Sequence, residues 1–105
     1  MDGKDLQKQA ESRAQELPGT ELTHPFGLDI DVWKICGKMF MFLTELDGGQ
    51  IVNLKADPLD SEALRKTHED ITPGWHMNKK HWITIRPGGT VDALLFDELV
   101  TDSYL

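Results

Sequence analysis

Two apolar runs, Met39–Leu46 and Gln50–Lys55, are separated only by Asp47-Gly48-Gly49. This spacing constrains the chain more than any other feature. A connection of two to three residues has no length for a parallel crossover, so the runs must pair antiparallel. Glycine supplies the positive φ that such hairpin turns need. Along Met39–Leu46, strict alternation puts Phe40 and Phe42 on one face and Met39, Met41 and Leu43 on the other. Apolar character on both sides predicts a central strand, covered above and below.

The rest of the chain reads outward from this hairpin. Leu6, Ala10, Ala14 and Leu17 recur at helical spacing, which predicts a helix over Lys4–Leu17, ended by Pro18-Gly19. Thr23–Gly27 is turn-prone, Ile30–Cys36 reads as a strand, and Gly37-Lys38 as a tight reversal. Asp57-Pro58 opens a second helix that runs to about His68, with Asp as the N-cap and Pro at the first helical position. Short strands follow near Ile71–Trp75 and His81–Arg86. After the turn Pro87-Gly88-Gly89, Thr90 suits the cap of a last helix, Val91–Tyr104, with Leu94, Leu95, Leu99 and Val100 inward. The order α-β-β-β-α-β-β-α predicts an α+β domain whose antiparallel sheet has about five strands and three helices. The 105 residues make one domain. Phe40 or Phe42, with Leu54, Ile83 and Leu95, is expected in its core.

No apolar run approaches the roughly 20 residues of a membrane span. Met1–Glu16 is charged throughout, unlike a signal peptide. A cytoplasmic, monomeric protein is the expectation. Cys36 is the single cysteine, which excludes an internal disulfide and a multi-cysteine zinc site. Its apolar surroundings suit a buried small side chain rather than a nucleophile. No serine sits in a nucleophile-elbow pattern, and no glycine loop has phosphate-binding spacing. An enzyme, a metal site and a cofactor are therefore not expected. His24 suits a turn, bonded to a backbone group.

Eighteen acids against eleven bases give a net charge of −7. That opposes a protein that coats nucleic acid, whose phosphate affinity comes from clustered Lys and Arg. The distribution matters more than the sum. Ile71–Val91 contains no acid but carries Lys79, Lys80 and Arg86, and acid-free Val32–Thr44 carries Lys34 and Lys38. Pro73–Trp82 is the densest stretch, with two Trp, two His and two Lys around Asn78. Lys neutralises phosphate, Trp and His stack on bases, and Asn bonds both donor and acceptor edges. The same residues equally suit two core tryptophans beside a solvated lysine turn.

His24-Pro25-Phe26-Gly27, Gly37-Lys38-Met39-Phe40, Val52-Asn53-Leu54-Lys55 with Asp57-Pro58, Pro73–Trp82 and Ser103-Tyr104 occur in this order. Together they resemble the MmcQ/YjbR family over nearly the whole chain, most specifically from His76 to Trp82. The resemblance implies a CyaY-like α+β fold and a proposed role in DNA binding through a double wing of hairpins. Carried onto this chain, it implies contacts from Lys38, Asn53, Lys55, His76, Asn78, Lys79, Lys80 and Trp82. A weak DNA-binding domain is the reading that follows. A protein- or small-ligand-binding domain using the same patch is the alternative, supported by the negative charge.

Overall fold

The computed structural model describes all 105 residues. Three helices and six strands follow in the order α1 (Gly3–Glu16), β1 (Thr20–Thr23), β2 (Asp31–Ile35), β3 (Lys38–Leu46), β4 (Gly49–Lys55), α2 (Pro58–Thr67), β5 (Ile71–Pro73), β6 (Trp82–Ile85) and α3 (Ala93–Tyr104). The strands form one antiparallel sheet in the order β1-β2-β3-β4-β6-β5. The expected β3–β4 hairpin is present, with Leu46 paired to Gly49. Asp47 and Gly48 both take positive φ, 53° and 79°, as a two-residue turn of this hand requires. β1 adds a sixth strand. Its four residues are polar or exposed and carry no local strand signal; pairing with β2 makes them a strand.

Most of the core lies between the sheet and the helices. Leu6, Ala10 and Ala14 of α1 and Phe96, Leu99 and Val100 of α3 pack on Met41, Leu43, Val52, Leu54, Ile83 and Ile85. Leu54 and Ile83 are in the core as expected, and Phe96 is the aromatic anchor of α3. Leu95 is only partly buried and Leu94 is 72% exposed, so α3 turns a different stripe inward than Leu94-Leu95. The helix starts at Ala93 because Asp92, not Thr90, caps it: its carboxylate accepts from the Leu95 N–H at 2.8 Å. Thr90 instead donates to Asp70.

Phe40 and Phe42 face opposite sides of the sheet. The β2–β3 register shifts between Trp33 and Lys34, where Trp33 pairs with Met41 and Lys34 with Met39, leaving Phe40 as the extra residue of a bulge. Phe40 therefore joins Met41 under the helices, while Phe42 points to the other face. On the other side of β3, the ladder with β4 ends at Met41–Leu54, one pair short of Phe40 and Lys55. Ser103, in the last turn of α3, serves both: its hydroxyl donates to the Phe40 carbonyl and accepts from the Lys55 N–H at 2.8 Å. Tyr104 then packs edge-on against Phe40 and donates to the Pro18 carbonyl at 2.5 Å.

The tight reversal between β2 and β3 is Cys36-Gly37, with φ of 51° and 76°. Cys36 is thus exposed in a turn, not buried in a strand. No helix is long and apolar enough to cross a membrane.

Candidate functional site

The face of the sheet opposite α1 and α3 carries a second, smaller cluster. Residues directly opposite one another in an antiparallel pair share a face. Val32–Phe42, Phe42–Asn53, Asn53–Thr84 and Lys55–Trp82 are such pairs, so this face reads across four strands. Val32, Phe42 and Trp82 form its buried core, with Ile30, Met39, Trp75 and Met77 packed around them. No helical residue belongs to it.

Two loops cover this face. The first, residues 24–30, is closed at its base by His24, whose Nε2 lies 2.7 Å from Asp31 Oδ1. His24 therefore meets a carboxylate rather than a backbone group. The second, residues 74–81, is tied down at several points. Gly74 N–H donates to the Trp82 carbonyl at 2.9 Å, and a side chain at Gly74 would meet Trp82 Cβ at 2.5 Å, so only glycine allows this approach. Trp75 N–H donates to Thr84 Oγ1 at 2.8 Å, and Thr84 in turn donates to Asn53 Oδ1 at 2.5 Å. Asn78 Oδ1 accepts from the Lys80 N–H at 2.9 Å, and Lys79 Nζ donates to the Gly74 carbonyl. His76 sits at φ 57°, an uncommon conformation for a residue other than glycine. Such backbone costs on the order of 1 kcal/mol or more and clusters at functional sites. Its ring stacks against Trp75, centroids 4.2 Å apart.

Between the loops lies a pocket of about 250 Å³, lined by Phe26, Met39, Phe42, Trp75, His76 and Met77. Phe26 is 66% exposed, an aromatic ring offered at the rim rather than used in packing. Beneath the loops, Asn53 is fully buried, and its Nδ2 is a buried donor with no partner.

The lysines gather at one end of the sheet. Lys38 opens β3, β4 ends at Lys55, and Lys79-Lys80 run into β6, so antiparallel order brings all four to the same end. They do not share one face. Lys38 stands opposite Ile35 on the helix side, where it shares a cleft of about 500 Å³ with Lys55, Asp57 and Asp102. The Lys55 ammonium lies over the Trp82 ring on the open side, 5.8 Å from its centroid. Lys34, opposite pocket-lining Met39, is a fifth cation at this end of the sheet and lies on the open face. The chain's ion pairs are Arg13–Glu16, His24–Asp31 and Lys66–Glu62. None of the five lysines has a carboxylate within 4.0 Å.

Of the expected contact residues, Lys38, His76, Asn78, Lys79 and Lys80 are exposed and Lys55 half-buried. Asn53 and Trp82 are buried, and Asn78 spends its side-chain oxygen within its own turn. The pocket walls Phe26, Met39 and Phe42 escape sequence reasoning because the pocket is assembled from three separate segments, the 24–30 loop, β3 and the 74–81 loop. The one local signal is Phe26, a large apolar residue inside a Pro/Gly turn.

Residues 15–105 match the family described as YjbR. The chain is 45% identical over 104 residues to the uncharacterized protein YbdF of Escherichia coli O157:H7, spanning 99% of this chain and 85% of that one. It is 34% identical over 71 residues to the uncharacterized protein YjbR of Escherichia coli K12, spanning 68% of this chain and 60% of the relative. The crystal structure of Deinococcus radiodurans protein DR2400, domain DUF419, superposes with a TM-score of 0.84 at 37% identity, covering 99% of this chain and 77% of that one. A Pseudomonas syringae crystal structure gives 0.78 at 29% identity, covering 92% and 94%.

Proposed function

The chain belongs to the YjbR family, and we propose that it serves there as a monomeric, cytoplasmic binding domain, not an enzyme, that holds the phosphate backbone of DNA weakly. The observation that carries this reading is the set of five lysines at one sheet end with no acidic partner. A cation that already has a carboxylate gains little from a phosphate; an unpaired one releases the phosphate's counterion. The net charge of −7 sharpens the reading. Acids repel the polyanion, so approach is confined to the open face of the lysine end, away from Asp57 and Asp102 in the cleft beside Lys38. The β2–β3 turn and the 74–81 loop are the two projections, the double wing, that carry Lys38 and Lys79-Lys80 towards it.

The test compares wild type with the Lys79→Glu/Lys80→Glu double variant by anisotropy of labelled mixed-sequence DNA. Both lysines are exposed, and an unchanged urea midpoint checks that the variant keeps its fold without the Lys79 bond to the Gly74 carbonyl. The reading expects binding to be nearly abolished, since two contacts are lost and two repulsions gained. Unchanged binding overturns it. A second reading, a domain for a protein or small ligand at the same patch, rests on Asp57 and Asp102 beside Lys38 and Lys55. These acids suit a partner of mixed charge.

A further inference from the structure

We propose that the pocket between the 24–30 and 74–81 loops takes one unstacked nucleobase from a single strand whose backbone the lysines hold. This rests on the DNA reading above and adds to it which part of the ligand enters the fold. Size is the first argument. About 250 Å³ lies below the roughly 300–1,000 Å³ of pockets for drug-sized ligands, so it admits one planar ring system. Shape and chemistry are the second. Phe26, Phe42 and the stacked Trp75-His76 pair offer aromatic surfaces, and Met77 adds a polarizable wall. A base bound without regard to sequence is held by such faces, because every base has a π-face.

Charge around the pocket selects the occupant. Lys34 stands across from Met39 on the same face, and Lys79 and Lys80 follow Met77 by two and three residues in the loop that forms one wall. An apolar aromatic compound has no use for these cations; a nucleotide strand has both a ring for the pocket and phosphates for its rim. The positive φ of His76 is then the backbone conformation at which the loop sets its stacked pair against the pocket.

The experiment uses labelled strands of about 12 nucleotides, one of mixed sequence and one abasic throughout, which carry the same phosphates. Wild type is expected to bind the base-bearing strand about tenfold more tightly than the abasic one. Phe26→Ala should shrink this difference severalfold, and an unchanged urea midpoint shows that the variant is folded. The Lys80 ammonium makes no bond within the loop, so Lys80→Glu should weaken binding of both strands alike. Equal affinity of wild type for the two strands overturns the base pocket and leaves the backbone reading standing. Binding of neither strand overturns both.

Discussion

Lys55 and Trp82 stand directly opposite each other on β4 and β6, and the Lys55 ammonium lies 5.8 Å from the centroid of the Trp82 ring. The pair joins the lysine end of the sheet to the core of its open face. Trp82 is only 7% exposed and packs with Val32 and Phe42. Truncating it removes core, so Trp82→Ala should cost about 3–5 kcal/mol in urea unfolding. Lys55→Met keeps the stem and removes the charge, which should cost about 1 kcal/mol for a half-buried cation–π contact. A large stability loss in Lys55→Met would mean that the ammonium serves the fold rather than a ligand.

Ser103 bridges the end of the β3–β4 ladder, where Phe40 and Lys55 are not paired directly. Ser103→Ala strands a buried carbonyl at Phe40 and the N–H of Lys55, and should destabilise by about 1–3 kcal/mol. Ser103→Thr keeps the hydroxyl and should recover part of the loss. Equal stability of Ser103→Ala and wild type would show that these groups find other partners.

Within α3, neighbouring apolar residues should differ sharply. Phe96 is fully buried, so Phe96→Ala should cost about 3–5 kcal/mol. Leu95 is partly buried and should cost less than about 2 kcal/mol. Leu94, at the surface, should stay within about 0.5 kcal/mol of wild type. Chemical denaturation of the three variants checks the order; a reversed order would rotate the helix.

Asp70 sets an acid dependence. Hydrogen bonds from the Thr90 hydroxyl first, then from the Thr90 N–H, hold its carboxyl below the usual carboxylate range. The folded-state pKa is the lower one, so the contribution is complete above the unfolded value near 3.9 and is lost as pH falls through the folded value. The stability gap between wild type and Asp70→Asn should be constant near neutrality and close progressively in acid. The carboxylate is partly exposed, so the gap should be small. A gap that widens in acid would reverse the sign and remove the Thr90 contacts as its cause.

What the sequence makes legible follows the range of the interaction. Asp47-Gly48 announces its hairpin because the turn's φ values are set by those two residues. Lys79-Lys80 are found from local composition alone. β1 is hidden, since Thr20–Thr23 become a strand only through β2, and so is the bulge that sends Phe40 and Phe42 to opposite faces. Alternation assumes an unbroken ladder, and nothing local marks where the register slips. The cap at Asp92 competes with Thr90 two residues earlier; the long-range bond from Thr90 to Asp70 decides between them. The pocket is the least legible feature, because its walls at Phe26, Phe42 and Met77 meet only in the folded sheet.

The central claim is that unpaired lysines hold a phosphate backbone, and its most direct test is the salt dependence of binding to duplex DNA. Lys34, Lys38, Lys55, Lys79 and Lys80 neutralise about four to five phosphates, so log affinity should fall against log salt with a slope of about −4. Lys79→Glu/Lys80→Glu should leave binding too weak to follow. No detectable binding by wild type in about 50 mM salt at about 100 µM protein, or an affinity that salt leaves unchanged, would contradict the account.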